Sequence, residues 1–134
     1  MNFVLTERLR WTDLTPHSRT PFADNRDVKI LPNDWPYGLE KDIVHLVVWV
    51  KFELEEVPGT DELTPETSQS LERFVDKVFR SRLGVERVVW FKNWGSLKSI
   101  RSVEHFHVLL NRPEESFVKE VTGGVRALSE MVGR

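Results

Sequence analysis

Between Asp42 and Phe52 the chain alternates with a period of two residues, a pattern that few folds can use. Val44, Leu46, Val48, Val50 and Phe52 fall on one face of an extended strand, and all are apolar. Ile43, His45, Val47, Trp49 and Lys51 fall on the other face. β-Branched residues dominate the run, which suits a pleated, half-buried strand better than a helix. One face must pack on a core, and the mixed face is left to line a site. The fold therefore needs a sheet with something apolar laid across one side of it.

The rest of the chain offers the missing parts. Thr64-Pro65-Glu66 opens a helix: threonine caps the free N–H groups, proline suits the first helical position, and glutamate sits at the positive end of the dipole. Leu71, Phe74, Val75, Val78 and Phe79 keep helical spacing, and Gly84 closes the segment. Arg87 to Phe91 reads as a second strand and Val103 to Leu110 as a third. Pro113 begins a last helix, with Phe117, Val121, Val125 and Leu128 along one side and Gly123-Gly124 weakening its middle. Val28 to Gly38 is dense in turn formers and reads as an ordered loop, not a strand interior. Its Trp35 and Tyr37 rings need burial. The predicted order is strand, helix, strand, strand, helix. That is the α+β class, an antiparallel β-sheet with one long helix packed across it. Residues 1–27 show no sustained period and are expected as an irregular arm, with residues 28–134 as a single domain.

Composition narrows the chemistry. The chain has 134 residues, a formal net charge of -2, no cysteine and four histidines. A chain of that length can bury its own core. Near-neutral charge argues against nucleic acid as a partner, because such binding leaves a basic footprint. Without cysteine there is no disulfide, no thiolate nucleophile and no cysteine-ligated zinc. No apolar run approaches the roughly 20 residues of a membrane span, and no signal-peptide segment opens the chain. A cytoplasmic or nucleocytoplasmic location is expected, with no membrane partner.

Histidine placement then matters most. His105 and His107 stand two residues apart on the third strand, so both imidazoles share a face with Leu109. Phe106, Val108 and Leu110 point the other way. If the first and third strands align their apolar faces in one sheet, His45 joins the same surface. His17, in the arm, is given no role. Three readings compete. The histidines are hydrogen-bonded structural groups, or they hold zinc or iron, or one of them attacks phosphorus. The only carboxylate near the pair is Glu104, which points to the other face. Attack on phosphorus needs donors around the phosphate. The segment before the third strand supplies Asn93, the Gly95 backbone, Ser96, Lys98, Ser99, Arg101 and Ser102. Trp94 is placed to stack on a base or sugar ring, and Lys92, Lys98 and Arg101 form a small basic cluster.

Val88 to Leu110, VVWFKNWGSLKSIRSVEHFHVLL, resembles the signature stretch of the histidine-triad (HIT) superfamily of nucleotide hydrolases and transferases. Asn93, Gly95 and the run Ser102-Val103-Glu104-His105-Phe106-His107-Val108-Leu109 carry the resemblance. VHLVVWVKF, Val44 to Phe52, is similar to the upstream strand of that superfamily. The departures are Leu109 for the third histidine, Ile100-Arg101 for a glycine-glutamine pair, and Val50 where proline is common. ILPNDWPYG, HLVVWVKF, WFKNWGSLKS and VEHFHVLL together resemble the fungal family of N-acetylglucosamine-induced proteins, a domain of unknown function. The resemblance implies a HIT-like fold and a phosphohydrolase or nucleotidyl transferase acting on a nucleotide, a nucleotide sugar or a related phosphate ester. In that reading His107 is the nucleophile, and His105 and His45 orient and assist it. Asn93, Trp94, Gly95, Lys98, Arg101 and Ser102 bind the substrate. No cofactor or metal is expected, and a homodimer is implied by analogy. The alternatives are a protein that binds a nucleotide or sugar phosphate without chemistry, and a histidine-ligated metal enzyme.

Overall fold

The computed structural model describes residues 11, 15–32, 42–92 and 104–123. Four strands form one antiparallel sheet: β1 (Val28–Pro32), β2 (Ile43–Val50), β3 (Val88–Phe91) and β4 (Glu104–Asn111). Their spatial order is β1-β2-β4-β3, so the two longest strands are central. The α+β class and the antiparallel sheet expected from the sequence are both present.

β1 corrects the expectation of a loop over Val28 to Gly38, at least as far as Pro32. Prolines weigh against strand interiors, but not against the end of an edge strand. Here Pro32 is the last residue of an edge strand, where its missing N–H leaves little of the ladder unmade. Among the described residues two strands, not one, therefore precede the long helix. Trp35 and Tyr37 lie outside the described residues.

α1 (Pro65–Val75) starts where the capping signal placed it, and the Thr64 Oγ1 accepts the Thr67 backbone N–H at 3.2 Å. The helix continues through a π-helical turn at Asp76–Arg80 into the short α2 (Ser81–Leu83). The Ser81 N–H reaches back to the Asp76 carbonyl, five residues earlier. This turn widens the helix by one residue, and Phe79 and Leu83 both still reach the core. Arg80 braces it, donating to Glu72 at 2.6 Å and Asp76 at 3.0 Å. Glu72 in turn accepts the Trp90 indole N–H at 2.7 Å, which ties α1 to β3. Gly84 adopts a φ of +93° as the chain turns toward β3.

α3 (Glu115–Thr122) is shorter than the last helix expected from Pro113. The glycine pair does not weaken its middle. Gly123 ends it with a left-handed φ of +66°, its N–H bonded to the Lys119 carbonyl. Val125 and Leu128 lie outside the described residues.

Alternating residues of the central strands make the core. Leu46, Val48, Val50, Phe106, Val108 and Leu110 meet Leu71, Val75, Phe79, Leu83 and Phe117 from the helices. The described part of the arm also packs inward. The Phe22 ring stacks on Phe74 with centroids 4.5 Å apart, and the buried Asp27 carboxylate accepts the His17 and Ser18 backbone N–H groups at 2.7 and 3.1 Å. Among the described residues no helix is long and apolar enough to cross a membrane.

The Thr64 cap is testable by urea denaturation. Thr64→Ala should lower unfolding stability by about 1 kcal/mol, while Thr64→Ser, which keeps the accepting oxygen, should stay within a few tenths of the parent.

Candidate functional site

Strand register decides which side chains meet. In the β2–β4 pair, His45 lies opposite Leu109, Val47 opposite His107 and Trp49 opposite His105. Period two sends all six to the face away from the helices. β1 adds Leu31 opposite Val47, and β3 adds Phe91 opposite His107 and Val89 opposite Leu109.

Within this face His45 and His107 are diagonal neighbours, a placement that long side chains can bridge. The His45 Nε2 lies 2.9 Å from the His107 Nδ1. Two imidazoles at this distance share one proton, one ring donating and the other accepting. Doubly protonated rings would set two N–H groups against each other. Burial lowers the pKa of His45. Burial also leads the causes that push His107 down to about 4, followed by positive charge on His105, His45 and Lys92. The His107 ring is therefore neutral at pH 7.

Two further contacts fix that ring. Phe91 stacks on it nearly parallel, with centroids 4.9 Å apart and 13° between the planes. His105 meets it edge-on at 5.3 Å and itself packs against Trp49 at 4.4 Å. With Nδ1 engaged by His45, the ring's remaining nitrogen is Nε2. That atom is buried and has no hydrogen-bond partner among the described residues. A neutral imidazole held on one face and at one nitrogen can offer the lone pair of the other nitrogen, or accept a proton there.

The sequence-predicted site residues divide cleanly. His45, His105 and His107 come together on one face, as the strand alternation implies. Asn93, Trp94, Gly95, Lys98, Arg101 and Ser102 lie outside the described residues, as do Ser96 and Ser99. Among the described residues no group of three or more histidine or carboxylate side chains is placed to hold a metal ion.

Of the small basic cluster read from the sequence, Lys98 and Arg101 lie outside the described residues and Lys92 is drawn in from solvent. Its side chain is only 8% exposed, with Nζ 3.9 Å from the Glu56 Oε2 and 4.0 Å from the Glu104 Oε1. Glu104 points away from the histidines, as alternation requires, and its Oε2 accepts the Leu54 N–H at 2.8 Å. A lysine is rarely buried unless paired, and these two carboxylates provide the pairing. Phe91 and Glu56 were not singled out by sequence. Phe91 sits in a correctly located strand, but only the β3–β4 register shows that it meets His107. Glu56 lies in an acidic loop that reads as solvated, and nothing local marks it as a partner.

The lowered His107 pKa has a consequence for stability. The unfolded imidazole titrates near 6.5 and the folded one near 4, so the unfolded chain takes up the proton first as pH falls. Stabilisation is full above about pH 6.5 and is lost progressively toward pH 4. Urea midpoints measured at pH 7, 5.5 and 4.5 should drop, and His107→Gln should flatten the drop. An equally steep loss in the variant would remove His107 as its source.

Comparison with known proteins fits this architecture. N-acetylglucosamine-induced protein 1 of Candida albicans is 32% identical over 106 residues, which is 77% of this chain and 42% of that protein. The uncharacterized protein YPL067C of Saccharomyces cerevisiae is 30% identical over 127 residues, 90% of this chain and 64% of that protein. The chain thus spans less than two thirds of the length of either relative. The crystal structure of HTC1 shares the fold with a TM-score of 0.60 at 24% identity, covering 89% of this chain and 72% of that one. The family described as protein of unknown function (DUF3605) matches residues 1–111. The chain belongs to that family, and its relatives are fungal.

Proposed function

We propose that this chain is a HIT-like phosphohydrolase or nucleotidyl transferase in which His107 is the nucleophile. One observation carries the reading: the His107 ring is neutral, its Nδ1 is engaged by the His45 Nε2 at 2.9 Å, and its Nε2 is the nitrogen left for chemistry. The resemblance of Val88 to Leu110 to the HIT signature supports it. The Nε2 lone pair attacks phosphorus, an N–P bond forms, and the bond from phosphorus to the leaving group breaks. The ring gains positive charge as this happens, and the hydrogen bond at Nδ1 lets His45 share it. Water or an acceptor hydroxyl then attacks the same phosphorus and gives its proton to solvent, the N–P bond breaks, and neutral His107 returns. His105 holds the ring edge-on. On the HIT resemblance, Asn93, Trp94, Gly95, Lys98, Arg101 and Ser102 are assigned to substrate binding. The substrate is a nucleotide, a nucleotide sugar or a related phosphate ester. An amino-sugar derivative is favoured by the name of the Candida relative, which ties that protein's induction to N-acetylglucosamine.

A second reading has its own support. Leu109 stands where the triad would place another histidine, and the His107 Nε2 is buried. A protein that keeps the pocket and binds without reacting fits both features.

Incubation with nucleoside phosphoramidates and nucleotide sugars should release product, and His107→Ala should abolish release. Binding by calorimetry with no product from the parent would favour the second reading. Undiminished turnover by His107→Ala would overturn the first.

A further inference from the structure

The helix side of the sheet, opposite the histidines, has a cleft of about 250 Å³ between the arm and α1. Asn25 lines it from the arm, and Ser70, Arg73 and Lys77 line it from α1 and the π-helical turn. Spacings of three and four residues set these last three on one stripe of the helix. Among the described residues, none of the four polar side chains has a hydrogen-bond or ion-pair partner. No carboxylate lines the cleft. The acids nearby on the helix are engaged elsewhere, since Arg80 takes Glu72 at 2.6 Å and Asp76 at 3.0 Å. In a chain of net charge -2, two cations are thus left unneutralised at one opening. The wall beside them is fixed. The Phe22 backbone is held left-handed at a φ of +65°, a costly conformation for a bulky residue, and its ring stacks on Phe74 at 4.5 Å and meets Phe52 edge-on at 4.8 Å. Phe74 and Val78 also line an adjoining cleft of about 470 Å³. Val28, Ile30 and Val121 wall this second cleft, each only half-buried at the margin of the core. Glu120, the acid in its lining, is tied to Arg82 at 3.0 Å.

We propose that the two clefts together bind a small amphipathic anion, a phosphate head on an apolar body, at a site separate from the histidine face. The head sits at Ser70, Arg73 and Lys77, where the guanidinium fork and the ammonium donate charge-assisted hydrogen bonds and the serine hydroxyl and Asn25 amide add neutral ones. Two cations suit the double charge of a phosphate monoester better than the single charge of a carboxylate. The body lies over Phe74 and Val78 toward Val28, Ile30 and Val121, covering apolar side chains that the core leaves half exposed. The first cleft alone is too small for more than the head, and the adjoining one brings the site into the size range of small-molecule pockets.

Titration with hexylphosphonate below its micellar range, followed by the amide resonances of the whole chain, locates the binding. This probe resists hydrolysis, so the result does not depend on turnover at His107. Saturable shifts are expected at Ser70, Arg73, Lys77 and Val121, with His45 and His107 unmoved. Inorganic phosphate, a head without a body, and hexanol, a body without a head, should each bind about tenfold more weakly or worse. Hexanoate should also bind more weakly than hexylphosphonate. Arg73→Gln with Lys77→Gln should lower hexylphosphonate affinity about tenfold and leave hexanol unaffected. Both positions are exposed and glutamine is a good helix former, so the variant keeps its fold. If the double variant does not fold, Arg73→Gln alone carries the test, with a loss of about threefold. The proposal is overturned by the absence of saturable shifts along α1, by undiminished affinity in the variants, or by tighter binding of hexanoate. Inorganic phosphate binding as well as hexylphosphonate would mean an adventitious ion only, and would overturn it too.

Discussion

Val48 lies opposite Phe106 and Val47 opposite His107, and this register between the two central strands governs both sides of the sheet. It lines up Leu46, Val48 and Val50 with Phe106, Val108 and Leu110 under the helices. It also brings His45, His105 and His107 onto the other side. Because strand side chains alternate, a slip of one residue would turn the core residues outward and bury the histidines. The apolar demand of one face thus fixes the geometry of the other. Burial of six large aliphatic and aromatic side chains favours the correct register by far more than any histidine contact does.

The electrostatics of the histidine face follow from its position in the sheet. Neutral imidazoles tolerate partial burial, and the shared proton between His45 and His107 satisfies a nitrogen on each ring. For His107, burial is the leading cause that disfavours a proton, with His105, His45 and Lys92 acting in the same direction. The two glutamates around Lys92 lie on the side of the helices and the loop after β2.

The central features were legible because they depend on local period. Alternation in β2 and β4 gave both faces of both strands, and Thr64-Pro65 gave the start of α1. Other features depend on partners that local sequence does not name. Val28 to Pro32 forms a strand because β2 offers it an edge, whatever its proline content. The π-helical turn at Asp76–Arg80 is held by Glu72 and by core packing, and an ordinary helix fits the same residues on spacing alone. Gly123 ends α3 where a glycine pair within a longer helix was expected. At the site, the three histidines followed from parity. The Phe91 stack and the Lys92 carboxylates required the register of β3 and the path of the loop after β2. The expected phosphate-binding residues fall between Lys92 and Glu104, outside the described residues.

The division of the central strands by parity also bears on how such a chain can diverge. Even-numbered positions from Val44 to Val50 and from Phe106 to Leu110 hold the molecule together, and odd-numbered ones carry the histidines. Substitutions at the histidine positions leave the helix-side core untouched, so reactivity can be lost, retuned or replaced while the scaffold persists. Leu109 is such a position: it lies on the histidine face opposite His45 and costs the core nothing. A lineage could therefore carry members with and without chemistry on one backbone, and overall sequence identity alone would not separate them.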